Sequence, residues 1–356
     1  MKRTNLYSKL KQKIKNSKYD FCGNFLYHII VPLFIVVLGC ILAFTINLNL
    51  GLDFKGGTLA TVVVENDIFV DENYYQVKNK LDDILNENNI KGLIYQKVET
   101  SYYGSAITVK FDRITNEQSK NLRSDLINGF YPDETDESEL EIFIKVDNFN
   151  KNVSDGVLLS TALAILVMIV VATVYICARF GISAGFVSGI VSLFNLITLL
   201  GLLSITRVEI NISTVIAFVF TAVYSILSSM MLVSKVNENI NKEVFAKNSN
   251  SQIMNYTIKD VFVSNTLTAI FMFLIAFLLG VVPTLVVRSA SLPVVFGVLI
   301  SYYSSMFIAG GLWSNTYIKR KVKQKQEIED KKMGKEVSQE DLEKTPEVIV
   351  ETEAKE

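Results

Sequence analysis

Charge is missing where hydrocarbon would penalise it. Six stretches, about Ile29–Leu50, Val157–Ala178, Ile182–Ile205, Ile210–Val233, Val261–Val287 and Leu292–Trp313, contain no Asp, Glu, Lys or Arg. Each is long enough for the ~20 apolar residues that cross roughly 30 Å of bilayer core as a helix. Histidine is nearly absent too. His28 is the only one, and at the mouth of the first stretch it is read as interfacial. The three cysteines, Cys22, Cys40 and Cys177, lie in or beside these stretches, which excludes a disulfide framework and a zinc pattern. No Walker loop, dinucleotide fingerprint or nucleophile elbow occurs, and the polar block has no convergent His, Cys or carboxylate set. An enzyme, a metal site and a cofactor are therefore not expected.

What is present is a membrane chain with charge at its margins. Half the residues are apolar and the mean hydropathy is positive. Lys2, Arg3, Lys9, Lys11, Lys13, Lys15 and Lys18 face only Asp20 in the first twenty residues. This is a basic arm beside a span, not a nucleic-acid domain. The first apolar run is too long for a signal-peptide core and lacks a small-x-small cleavage site, so it is read as a retained anchor. Lys and Arg in short flanks mark the cytoplasmic side. That rule puts the arm, Arg179, Lys235 and the run Lys319, Arg320, Lys321, Lys323, Lys325 in the cytoplasm, with both termini inside. The expected division is a basic arm (1–28), a first transmembrane helix (29–50), an extracytoplasmic domain (51–155), a five-helix bundle (156–315) and a charged tail read as disordered (316–356).

The polar block reads as a small α+β domain. Leu59–Val64 is strand-like, and Asp71–Asn86 has helical spacing with Tyr74, Val77, Leu81, Ile84 and Leu85 on one face. Gly92–Glu99 and Ser105–Phe111 form a hairpin around Tyr103-Gly104. Thr115–Phe130 is a helix with Thr115 as N-cap and Gln118 three residues on. Leu140–Val146 alternates as a last strand. The order βαββαβ is the ferredoxin-like pattern. The acidic run Asp133–Glu137 is read as a solvated loop, and the segment from Lys235 to Asp260 as polar and partly helical. Small residues recur every four positions at Gly181, Gly185 and Gly189 and at Gly297, Ser301, Ser305 and Ala309, as close helix packing in lipid requires.

Between the first span and this block stands Gly51-Leu52-Asp53-Phe54-Lys55-Gly56-Gly57-Thr58-Leu59. A Gly-Gly pair takes positive φ without Cβ cost and serves as a hinge into a strand. The whole string resembles the G-hydrophobic-D-F-x-G-G-T signature of SecD/SecF-type protein-export subunits, and the layout after it is similar to the SecF half of that family. Tyr175-Ile176-Cys177-Ala178-Arg179-Phe180 partly matches the family motif that ends the second span. The family's intramembrane relay is degenerate here. Asn195 stands in the third-span motif. In the fourth, Tyr224 and Ser225 fit while Ser228 takes the relay Asp position. In the fifth, Val261 takes the Arg position ahead of Asn265, Thr266 and Thr268.

The resemblance implies six transmembrane helices with a ferredoxin-like extracytoplasmic domain between helices 1 and 2. It also implies a SecD-like membrane partner, a SecY-type channel and a translocating polypeptide as further partners. Three accounts of the lost relay stay open: the partner carries the titratable groups, coupling is abandoned and the pair is a scaffold, or the cluster Asn195, Thr198, Ser225, Ser228, Ser229, Asn265 and Thr266 forms a hydrated path. Interhelical hydrogen bonding accounts for the same cluster without any path. The rival functions are a half-transporter of the resistance-nodulation-division class for a lipid or hydrophobic substrate, and a non-transporting membrane scaffold.

Overall fold

The computed structural model describes residues 6–64, 67–100, 104–132, 140, 143–240, 242, 248–281 and 285–316. The acidic run at 133–137, Tyr103 of the hairpin turn, most of the polar segment at 241–247 and the basic and charged tail after 316 lie outside them. So do Lys2 and Arg3.

The protein is a polytopic α-helical membrane protein with six helices long and apolar enough to cross a bilayer among the described residues. A short helix α1 (Leu6–Lys15) precedes the first of them, α2 (Phe25–Thr45). A single turn α3 (Leu52–Lys55) then leads into the α/β unit. The remaining five are α6 (Lys151–Phe180), α7 (Ile182–Thr206), α8 (Ile212–Ile240), α9 (Asn250–Leu279) and α10 (Leu285–Ser304). The last continues through a π-helical turn (Ser305–Ala309) toward Thr316. Helix ends depart from the apolar runs. The first helix starts at Phe25 and stops at Thr45, not at Leu50, because Ile46 is its C-cap and Asn47, at φ 63°, turns the chain out of the helix toward partners at 207–210. Helix α8 runs on to Ile240, and α9 begins at Asn250, a full eleven residues before its apolar run, behind a Ser249–Gln252 capping box.

Helices α7, α8 and α10 form the middle of the bundle, while α2 and α6 are mostly exposed along their length. Close crossings rest on glycine. A Cβ at Gly185 would collide with Cys177 and the Thr173 carbonyl of α6, and one at Gly297 with Thr221 of α8. Both small-residue stripes therefore face neighbours within this chain. A third close approach, Gly39 of α2 against Gly201 of α7, lacks a four-residue repeat and was not expected from the sequence. Gly181 has open space where its Cβ would be. Its φ of 101° makes it the N-terminal boundary of α7 rather than a packing residue.

The α/β unit contains β1 (Gly57–Val64), α4 (Asp71–Glu87), β2 (Ile94–Thr100), β3 (Gly104–Phe111), α5 (Asn116–Phe130) and β4 (Ile144–Phe149). The sheet order is β2-β3-β1-β4, antiparallel throughout, which is the ferredoxin-like arrangement. Period-two alternation sends Ala60, Val62, Val64, Ile107, Val109 and Ile144 to one face. There they meet Leu81 and Leu85 of α4 and Leu122 and Leu126 of α5 in one core. Thr115 and Gln118 form the expected capping box. The last strand lies further along than Leu140–Val146. Its Thr61↔Lys145 and Gly57↔Phe149 pairings carry it to the start of α6.

Candidate functional site

Residues 47–58 fold against the loop between α7 and α8. The Gly51 amide donates to the Ile210 carbonyl at 2.7 Å, and the Ile210 amide to the Asn49 carbonyl at 2.8 Å. These bonds form a parallel bridge between Leu50 and Ile210. Around it, Asn49 Nδ2 donates to the Arg207 carbonyl (2.8 Å), and Arg207 Nη1 to the Asn47 carbonyl (2.6 Å). Gly51 has no room for a side chain: a Cβ would sit 2.8 Å from Glu209 Oε1 and 3.0 Å from Asn211 Cβ.

Asp53 reaches the same loop. Its Oδ2 accepts from the Ile212 amide at 3.0 Å, the first residue of α8. Four N–H groups at a helix start lack intrahelical partners, and a carboxylate there also meets the positive end of the helix dipole. Phe54 is 3% exposed and packs with Leu199, Leu203, Ile210 and Ile300 of the bundle. Gly56 closes the α3 turn at φ 77°, and Gly57 opens β1 at φ 140°. A Cβ on Gly57 would meet Leu52 Cδ2 at 2.6 Å and the Phe111 carbonyl at 2.9 Å. The sheet is tied down a second time, because Lys110 Nζ on β3 bonds both Glu209 carboxylate oxygens at 2.6 and 2.7 Å. The hinge is thus a clasp. Four of the residues that close it, Asn49, Lys110, Arg207 and Glu209, carried no sequence sign of acting together, since they are brought in from three distant segments.

At the opposite end of the bundle, Tyr175 and Arg179 are exposed and Phe180 is half-buried against the core.

A polar seam runs between the central helices. Asn195 Nδ2 donates to Ser225 Oγ at 2.8 Å. Ser228 Oγ bonds Ser305 Oγ (2.6 Å) and Asn265 (3.0 and 3.2 Å). Thr266 Oγ1 bonds Tyr302 Oη at 2.7 Å. Ser305 opens the π-helical turn, a feature common where a helix face is re-aimed. The Asn195 Oδ1, Tyr224 Oη and Ser229 Oγ atoms are buried with no hydrogen-bond partner among the described residues. Among the described residues Thr198 bonds the Phe194 carbonyl alone, and Thr268 the Ser264 carbonyl alone while exposed to the outside of the bundle, so neither joins the seam. Val261 lies in the apolar core beside Ile258 and Met306. Ser305 and Tyr302 enter the seam unannounced. Ser305 stood in the sequence only as one of a stripe of small residues. Among the described residues no group of three or more His, Cys, Asp or Glu is placed to hold a metal.

Two family models match the chain. The SecD/SecF GG motif covers residues 41–68, and the C-terminal region of the protein export membrane proteins SecD and SecF covers 134–340, more than half of the chain. The chain belongs to the SecD/SecF family. Within this family its relatives include the protein translocase subunit SecF of Calditerrivibrio nitroreducens, 25% identical over 84% of this chain and 94% of the relative. The SecF of Petrotoga mobilis is 25% identical over 86% and 98%. The solved SecDF of Thermus thermophilus, a translocon-associated membrane protein, superposes with a TM-score of 0.66 at 20% identity. A super-membrane-facing form of SecDF gives 0.55 at 18%. The chain spans 39% and 40% of those two solved chains, so they speak for the fold alone. As a SecD/SecF member with SecF relatives along nearly its whole length, the chain is a SecF-like accessory subunit of protein export, and the half-transporter alternative is not favoured.

Proposed function

We propose that this chain is the half of a SecD/SecF pair that shapes and transmits movement while a SecD-like partner supplies the ion coupling. It would work beside a SecY-type channel on a polypeptide emerging from it. The observation that carries the division of labour is the seam. At the positions where the family's relay motifs align, Asn195, Ser225, Ser228 and Asn265 offer only amides and hydroxyls, bonded to one another and to Ser305. None of these groups takes up and releases a proton near neutral pH. A desolvated cation would gain little from neutral ligands, which argues against a path of its own.

Charge supports the orientation. Lys11, Lys15, Arg179, Lys235 and Lys242 gather at the end of the bundle away from the α/β unit. The positive-inside rule puts that end, and with it both termini, in the cytoplasm. The unit over about residues 51–155 is then external, followed by the bundle over 156–315. The clasp supports transmission. Asp53 and Gly51 fasten the foot of the unit to the start of α8, the helix that carries Ser225 and Ser228. The weakly packed faces of α2 and α6 are the natural contact for a second membrane subunit.

The test is copurification of the tagged chain in mild detergent, with each membrane protein that comes with it sequenced. A SecD-like subunit bearing intramembrane carboxylates supports the proposal. A partner stripped of them leaves the pair as an uncoupled scaffold. Absence of both a SecD-like chain and a channel removes the partner assignment.

A further inference from the structure

A groove of about 720 Å³ opens between α1, α6, α8 and α9 at the end of the bundle opposite the α/β unit. Its lining changes character along its length. One part is apolar, and there Leu227 is 53% and Met231 37% exposed on the lipid-facing side of α8. The other part carries three cations, Lys11, Arg179 and Lys235, and two carboxylates, Glu238 and Asp260. Three positive and two negative charges leave the lining at +1. The carboxylates are already engaged. Asp260 pairs with Lys11 at 3.0 Å, and Glu238 is shared by Lys235 and Lys242 at 2.7 Å each. Arg179 is not. It lies over the Phe180 ring, 5.6 Å from the centroid, and makes no ion pair among the described residues.

The groove is built by a strap. Helix α1 runs antiparallel to the start of α9. Tyr7 Oη bonds Ser264 Oγ (2.9 Å), Lys11 pairs with Asp260, and Lys15 lies 4.6 Å over the Tyr256 ring. Steps of four residues on one helix thus meet steps of four on the other. This register holds Lys11 in the wall of the groove opposite Arg179 and Lys235 instead of leaving it free in solvent.

We propose that this groove binds one anionic phospholipid, its phosphate on the Arg179 guanidinium and flanked by Lys11 and Lys235, its acyl chain along Leu227 and Met231. The planar guanidinium suits a phosphate, and basic pockets between spans at the membrane surface select acidic headgroups. The apolar half of the groove, open sideways to the bilayer, is what a free phosphate ion would not use.

Native mass spectrometry of the purified full chain with phosphatidylglycerol or phosphatidylcholine of matched acyl chains tests this. One phosphatidylglycerol is retained in preference to phosphatidylcholine. Arg179→Gln lowers its retention about fivefold, the effect of one cation at a membrane surface, and Lys13→Gln, on α1 but outside the groove, leaves it unchanged. Met231→Asp lowers retention as well, which keeps the acyl side testable should Arg179→Gln lower the unfolding temperature. Equal retention of the two lipids overturns the proposal. So does an Arg179→Gln effect no larger than that of Lys13→Gln, or displacement by inorganic phosphate at the concentration of the lipid.

Discussion

Asp53 and Ile212 are 159 positions apart in the chain, yet the carboxylate of the first caps the helix that begins at the second, at 3.0 Å. That helix also has a local N-cap, Asn211, whose Oδ1 accepts from the Thr214 amide at 3.1 Å while Thr214 Oγ1 accepts from the Asn211 amide at 2.9 Å. Asp53 adds a second acceptor from a distant segment and joins the foot of the α/β unit to the start of α8, and the Lys110–Glu209 pair brings in β3 as the third segment of the junction.

Removing that cap has a measurable cost. Asp53→Ala should destabilise the chain by about 1 kcal/mol, the usual effect of losing a capping oxygen. Asp53→Asn, which keeps an acceptor but not the charge, should lose less. Thermal unfolding in detergent, read by tryptic cleavage between the unit and the bundle, orders the three proteins. Equal melting of Asp53→Ala and the parent would show that the cap carries no stability.

Gly57→Val should prevent accumulation of folded chain, because a β-branched residue at φ 140° is strained and its Cβ has Leu52 and the Phe111 carbonyl in its way. Gly156 is the comparison. It lies in helix α6 with nothing within 4 Å of a built Cβ. Gly156→Ala should be neutral or stabilising by up to about 1 kcal/mol. Immunoblotting of membrane fractions and melting curves separate the two.

Ser228→Ala removes the bonds to Asn265 and Ser305 but leaves the seam without a new charge. Interhelical hydrogen bonds of this kind contribute about 1 kcal/mol or less, so melting should fall slightly and export should stay near the parental rate. An export defect in a Ser228→Ala protein that melts like the parent would give the seam a part in ion movement and overturn the division of labour proposed above.

Acid should loosen the segment ahead of α2. The Gly23 amide and Asn255 Nδ2, at 2.9 and 2.6 Å from Asp20 Oδ1, hold this carboxyl below the usual aspartate range, against a smaller opposing effect of burial. A depressed folded-state pKa adds stability that is full above the ordinary aspartate range and is lost as pH falls through the lowered value. The melting temperature should therefore fall as pH drops below the ordinary aspartate range, and Asp20→Asn should flatten that dependence. An unchanged pH profile in Asp20→Asn would assign the loosening to another group.

Much of the fold could be read from residue order. Apolar run length gave the six spans, and alternation with turn chemistry gave βαββαβ, because each of these signals is local. The Thr115–Gln118 capping box is local in the same way. The clasp is not. Asn47, Asn49, Lys110, Arg207 and Glu209 are ordinary polar residues until folding brings their segments together. The seam was half legible. Polar residues in apolar runs mark themselves, but which of them meet depends on helix rotation, and that placed Ser305 and Tyr302 inside and Thr268 outside. The ends of α8 and α9 also escaped a hydropathy reading, since helices extend past the hydrocarbon into water wherever their backbone bonds are satisfied.

The clasp also sets an order of assembly. Gly51 and Asp53 leave the ribosome about 160 residues ahead of Ile210 and Ile212. Until the α7–α8 loop is made, the foot of the α/β unit lacks the hydrogen bonds of the clasp and has only the packing of Phe54 on Leu199 and Leu203, even though every strand of its sheet is already available to pair. The nascent chain must therefore hold a folded or folding sheet on a loose tether while two more helices enter the membrane. Synthesis of the α7–α8 loop is the step that locks it, so a pause or truncation before Arg207 should leave a protein with a formed sheet and an open hinge.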